Sequence, residues 1–374
     1  MKKLGFLALA LTITIPLMAT PTLTHLVRNE ITQQQAAAPS DEERTLYAKY
    51  YEEKDLEKKA AIAKEFVEKF PQSSYAAYCK KTIDTWELTK LYNKYTEADK
   101  AFFTANGANE ANLTSLIAAG DTWLRKTPGD IGPTVRLATA TGFGLLAGFY
   151  KDTNRVFTDA EKALKALEPT AAPKGWKPDI WAKFRADNTP LLTQYQGLSK
   201  LRQAPPDIEG ALMYLNKSAA VKDGSTVKDP NTYLWRAEAN STIYAKNNDE
   251  YKVLSDDDKR GDKGKEVLKT KIYPVGEKIV HDFARVVALT ANKPELKAVN
   301  TSAKEDAETY YKILKDGKTD GLNELIARYQ ADVTAPDTPI WTEPAPTTTT
   351  AETGKPATTK PVTVTKPVPR KPKP

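Results

Sequence analysis

PLLTQYQGLSKLRQAPPDIEGALMYLNKSAAVKDG, Pro190 to Gly224, is the stretch whose reading decides the fold class. Leu191, Leu192, Tyr195, Leu198 and Leu201 recur at steps of three and four, which puts them on one face of a helix. Pro205 and Pro206 end that helix, because proline has no N–H and pushes its predecessor out of the helical region. A second helix opens at Pro206 or Asp207, where a proline is tolerated and an early acid suits the helix dipole. Its apolar set is Ile208, Ala211, Leu212, Leu215 and Ala219, and Asp223-Gly224 closes it.

A lone helical hairpin of this size cannot bury its own apolar stripe, so the pattern implies stacked neighbours. Spacing of this kind resembles the tetratricopeptide repeat. Tyr195 and Leu198 fall at that family's aromatic and leucine positions, and Ala211, Leu215 and Ser218 at its small-large-small second helix. The chain departs from the pattern at Ser199, where the family has glycine, and at Arg202, where it has an aromatic. The resemblance implies an all-α fold, a TPR-like α-α solenoid of antiparallel helix pairs. It also implies that first-helix side chains line a concave groove for a protein or peptide partner. The matching positions are Gln196, Lys200 and Gln203 here, and Thr45, Lys49 and Glu52 in an earlier unit.

Composition agrees with a helical class. Glycine is sparse, at 18 of 374 residues, period-two alternation is almost absent, and 40% of residues are apolar, enough for a core. Met1 to Ala19 has the layout of a secretory signal peptide. Lys2 and Lys3 form a basic start, Leu4 to Ile15 an apolar run, and Leu17-Met18-Ala19 a cleavage triplet. These features predict an exported, periplasmic or cell-envelope protein. Loss of Lys2 and Lys3 takes the net charge from +7 to +5, spread along the chain, which does not point to nucleic acid. The single cysteine, Cys79, excludes an internal disulfide and reads as a small buried residue.

In chain order, residues 20–40 read as a flexible lead-in, 41–331 as the helical repeat domain, and 332–374 as a disordered tail rich in Pro, Thr and Lys. Ser40 before Asp41, Glu42 and Glu43 is an N-cap with acids in the first turn. Two helices are expected between Tyr75 and Phe103. Further helices are expected at Ala111 to Lys126, Thr134 to Tyr150, Phe157 to Leu167, Asn231 to Lys246 and Val275 to Ala291. Ala140, Gly144 and Gly148 form a small-residue stripe for close helix packing. Ser255 to Glu266 reads as a solvated, charged loop. The turn prolines Pro71, Pro128 and Pro169 lie 57 and 41 residues apart, whereas a regular array recurs at about 34, so the repeat is irregular. From Lys355 onward the tail carries Lys and Arg without an acid, a composition suited to an anionic envelope polymer or membrane surface.

No catalytic residue emerges. The only histidines are His25 and His281, and the chain has no HExxH, CxxC, GxSxG or phosphate-binding loop. His281 reads as a satisfied or surface residue of an amphipathic helix. Asp256-Asp257-Asp258 resembles the start of a calcium loop, but Arg260 and Val267 stand where oxygen ligands are required. The sequence therefore predicts a binding protein without metal, cofactor or enzymatic chemistry. A second reading is an envelope spacer attached through its basic tail.

Overall fold

A computed structural model describes residues 39–104 and 106–342. The expected signal peptide, most of the lead-in and the tail beyond Thr342 lie outside the described residues. Among the described residues every regular element is helical, and none of these helices is long and apolar enough to cross a membrane. The chain divides into two compact units, one ending at Thr226 and one beginning at Val227.

The first unit contains α1 (Asp41–Glu52), α2 (Leu56–Lys69), α3 (Ala76–Phe103), α4 (Glu110–Lys126), α5 (Ile131–Ala147), α6 (Thr153–Leu167), α7 (Pro178–Arg202) and α8 (Ile208–Ala219). Short polar residues start them. Ser40, Asp55, Asn109, Asp152 and Asp207 each accept a backbone N–H three residues on, at 2.9 to 3.1 Å, which satisfies one of the free donors of a first turn. Each helix packs on the next in the chain, and α5 also touches α7. Leu46, Tyr50, Ala63, Phe66 and Cys79 form the first core cluster, and Leu113, Leu116, Trp123 and Leu137 belong to the next. Val135, Ala160, Leu167, Trp181 and Leu192 belong to a third.

Two glycines around α7 permit close approaches between helices. A Cβ on Gly142 of α5 would collide with the Tyr195 ring of α7. One on Gly197 of α7 would come within 2.6 Å of Leu215 Cγ on α8. Ion pairs tie helices two apart: Arg136 grips Asp99 through two bonds of 2.8 and 2.7 Å, and Arg155 of α6 reaches Asp121 of α4.

Several boundaries differ from the sequence reading. Tyr75 to Phe103 holds one helix of 28 residues, not two. The apolar face continues through Trp86, Leu88, Leu91 and Tyr95 with no proline or glycine to break it. α7 begins at Pro178, well before the expected start, and Pro190 lies inside it, contributing no N–H of its own. Its carbonyl accepts from Ser218 Oγ of α8 at 2.8 Å. Gly148 does not extend the small-residue stripe; at φ +82° it is the left-handed cap of α5.

The second unit contains α9 (Pro230–Lys252), α10 (Asp256–Arg260), α11 (Asp262–Val267), α12 (Tyr273–Thr290), α13 (Lys297–Leu314) and α14 (Leu322–Ala331). The charged stretch expected to be a loop is two short exposed helices, α10 and α11, started by Ser255. α12 is the centre: α9, α13 and α14 all pack on it. Ile279, Val280, Ala284 and Val286 are inaccessible, as are Ala237 and Ala307 opposite them. Residues 332–342 form no helix. After a turn closed by the Ala335 N–H on the Asp332 carbonyl at 3.0 Å, they run back over α12 and α14 as a strap, with Ala335 and Ile340 buried and Val333 and Trp341 packed against the same core. The expected start of a disordered tail at 332 is therefore corrected, since the segment up to Thr342 belongs to the packed body.

Candidate functional site

Residues at four-residue steps along α12 face the strap. They are Glu277, His281 and Arg285, with Asp282 beside them. A helix places i, i+4 and i+8 in one row, so one face of α12 presents an acid, an imidazole and a guanidinium in line. Each grips the strap through its main chain. Arg285 donates from Nε to the Val333 carbonyl at 3.0 Å and from Nη2 to the Ala335 carbonyl at 2.8 Å. His281 Nε2 lies 2.9 Å from the Thr338 carbonyl. Glu277 Oε1 accepts the Ile340 and Trp341 N–H groups at 2.7 and 2.6 Å. From α14, Arg328 donates to the Pro336 carbonyl at 2.7 Å and to Thr338 Oγ1 at 2.9 Å.

Arg285, His281 and Tyr329 form a buried polar cluster beneath the strap, and the half-exposed Asp337 of the strap closes it. Arg285 Nη2 donates to Asp337 Oδ1 at 2.7 Å, and its guanidinium sits 4.1 Å from the Tyr329 ring centre. A carbonyl can only accept, so His281 carries its proton on Nε2 and leaves Nδ1 as an acceptor. The one Tyr329 hydroxyl proton is shared between that Nδ1 at 2.8 Å and Asp337 Oδ1 at 3.1 Å. Burial pushes the His281 pKa below its ordinary value, with Asp337 and the Thr338 carbonyl pulling the other way. Burial alone would raise the Asp337 carboxyl, but Arg285 and His281 outweigh it and hold it below the usual carboxylate range.

Asp282 is fully enclosed. Arg236 Nη2 of α9 approaches its Oδ1 to 3.3 Å, and Arg285 Nη1 to 3.9 Å. Among the described residues neither Asp282 oxygen makes a hydrogen bond, nor do Arg236 Nε and Arg285 Nη1. Burial lifts the Asp282 pKa to about 6 against the pull of both guanidinium groups; the nearby Asn240 amide acts in the same direction as they do, short of hydrogen-bond geometry. The arrangement is an ion-pair junction between α9 and α12 in which one carboxylate lies between two guanidinium groups with imperfect hydrogen bonding.

An open depression of about 300 Å³ runs beside the strap, lined by Tyr311, Lys315, Glu324, Arg328 and the strap residues Thr338 to Ile340. Among the described residues no three His, Cys, Asp or Glu side chains gather into a metal-holding group. His281 and Asp282 point to different partners, as adjacent helix positions must.

The residues singled out from the sequence lie elsewhere, in the first unit. Gln196 is a correction: it is 5% exposed inside α7, so it is a core residue and cannot line an open groove. The helix that carries it is buried on more than one face, with Leu192, Tyr195 and Ser199 also enclosed. Lys200 is half-buried, paired with Asp207 at 3.3 Å and lying over the Phe157 ring. Gln203 is half-buried at the end of α7. Thr45, Lys49 and Glu52 are exposed on α1, and the Thr45 hydroxyl is spent on the Asp41 carbonyl. Cys79 is buried, and burial pushes its thiol up to about 11, which leaves it unreactive. The strap itself escaped sequence reasoning. Its available signals were the row Glu277, His281, Arg285 and the apolar Ala335, Ile340 and Trp341 set in a polar segment.

Comparison of the chain with protein-family models, with curated proteins and with solved structures finds no match.

Proposed function

We propose that this chain is a non-catalytic, all-helical scaffold that binds a protein or peptide partner in the cell envelope. The observation that carries this reading is the strap. One face of the second unit already holds an extended peptide segment, and it does so by bonding main-chain carbonyls and N–H groups with side chains from helices. Sites that capture extended peptides use the same combination, backbone bonds for affinity and apolar pockets for choice. Support for a TPR-like array comes from the first unit, where helices pack in series along the chain. Support for export comes from the first nineteen residues alone, through their basic start and apolar run.

Composition favours a second reading: from Lys355 to the end the tail is cationic and carries no acid. On that reading the helical body is a spacer, and the tail attaches to an anionic polymer of the envelope.

A photo-crosslinking residue placed separately at Lys49, Gln203 and Thr338 in the full chain tests the first reading in native envelope fractions. A discrete partner protein captured from one of these positions, and not from a buried control position, is expected. Capture of no discrete protein from any of them would overturn it. Deleting residues 343–374 separates the readings, because the scaffold keeps its partner without the tail and the spacer loses its place in the envelope.

A further inference from the structure

We propose that the face of α12 and α14 under the strap is a receptor for an extended, proline-punctuated peptide of a partner protein, and that residues 333–342 are its resident competitor. The proposal rests on the scaffold reading and names the kind of partner and the device that regulates access.

Six main-chain groups of the strap are held by side chains of the two helices: the carbonyls of Val333, Ala335, Pro336 and Thr338, and the N–H groups of Ile340 and Trp341. Any extended chain offers those groups, so this part of the recognition is independent of sequence. Selectivity comes from three strap side chains. Asp337 meets Arg285 and Tyr329, and Ala335 and Ile340 are the two buried apolar anchors. Pro336 and Pro339 add pre-organisation. Proline biases the residue before it toward extended backbone, and those residues, Ala335 and Thr338, are two whose carbonyls are gripped. The matching ligand is therefore a small apolar residue, proline and an acid, followed three residues after the acid by an aliphatic-aromatic pair.

The strap is built to exchange. Pro336, Asp337, Thr338 and Pro339 are exposed in a row, and the apolar anchors lie at the two ends, Val333 and Ala335 before them and Ile340 and Trp341 after, with Val333 and Trp341 only partly buried. A non-helical segment with an exposed middle and fewer buried side chains than the helices under it opens at a lower cost than they do. The bare groove is unfavourable, because Arg285 and His281 are buried and would lose their carbonyl partners. One occupant therefore replaces another, and the depression beside Thr338 to Ile340 gives an incoming peptide room for larger side chains.

The test uses a fluorescent peptide with the sequence of residues 332–342 and the full chain carrying Asp337→Ala and Ile340→Ala, which weakens the resident strap and leaves the groove intact. Anisotropy should show saturable binding, about tenfold or more tighter than to the unmodified chain, and a loss of about tenfold or more when Glu277→Ala is added. A peptide lacking the acid and the aliphatic residue should not bind. No saturable binding to a double variant that keeps its helical circular dichroism, or equal binding with and without Glu277→Ala, would overturn the proposal. If the double variant fails to fold, excess peptide is added to the unmodified chain and amide exchange is followed. Faster exchange at Ile340 and Trp341 supports displacement, and unchanged exchange at saturating peptide refutes it. Peptide failure with a discrete partner cross-linked from Lys49 or Gln203 would sink this inference and leave the scaffold standing. Peptide binding with no cross-linked partner from any position would overturn the scaffold reading and, with it, the partner-protein occupant proposed here.

Discussion

Asp282 and His281 are neighbours in sequence whose burial has opposite consequences for stability. In the fold Asp282 keeps its proton until about pH 6, whereas an ordinary aspartate releases it near 3.8. As pH rises through that window the unfolded chain gives up a proton that the folded chain retains, so this group lowers stability with rising pH. His281 does the opposite. Its pKa is held below 6.5 by burial, so on acidification below that value the unfolded chain takes a proton that the folded chain resists, and stability falls. In unmodified protein the two effects oppose each other as pH falls below 6.5. We expect Asp282→Asn to steepen the loss of urea stability of the second unit from pH 7 to pH 5, and His281→Asn to flatten or reverse it. Parallel pH profiles for both variants and the unmodified chain would contradict this assignment.

At the scale of the element, the α5–α7 contact depends on a missing side chain. Tyr195 packs its ring where a Cβ on Gly142 would stand, and Tyr195 is itself enclosed. Gly142→Ala should destabilise the first unit by about 1–3 kcal/mol through overpacking. Gly129, whose added Cβ would meet nothing within 4 Å, should change stability by less than about 0.5 kcal/mol when replaced by alanine. Chemical denaturation of the two variants checks the pair, and equal midpoints would refute the close approach. The helices themselves were legible from apolar spacing and caps. Ser40 and Asp207 start α1 and α8 as their positions imply; Leu191, Leu192, Tyr195, Leu198 and Leu201 are all buried as the period predicts, as are Ala211 and Leu215, whereas Ile208, Leu212 and Ala219 are half-buried. What misled was punctuation. The stretch quoted from Pro190 looked like a whole helix pair, but α7 begins at Pro178 and Pro190 lies within it. Gly148 looked like packing and is a cap, because its backbone is left-handed.

For the whole molecule, composition announced the helical class, and tertiary contacts decided the rest. Asp332 to Thr342 is poor in apolar residues and rich in Pro, Thr and Asp, which by itself predicts disorder. Its order comes from α12, a helix that lies 48 to 64 residues earlier for the bonds that matter, and no local pattern reports that. Gln196 shows the same limit from the other side. A repeat position that usually faces a groove is buried here because α7 is enclosed on more than one face. Truncation locates the true edge of the folded body. A chain ending at Thr342 should keep the thermal midpoint of the full chain. One ending at Asp332 should lose stability in the second unit, by about 1–3 kcal/mol for each buried polar partner left unsatisfied at His281 and Arg285.

The measurement that bears most directly on the central claim is residue-resolved amide exchange of the full chain beside Glu277→Ala. The Ile340 and Trp341 amides should be protected in the unmodified chain, because Glu277 accepts both. In the variant they should exchange about tenfold or more faster while the amides of α12 and α13 stay as they were. Strap amides that exchange in the unmodified chain as fast as in an unstructured peptide would contradict the account.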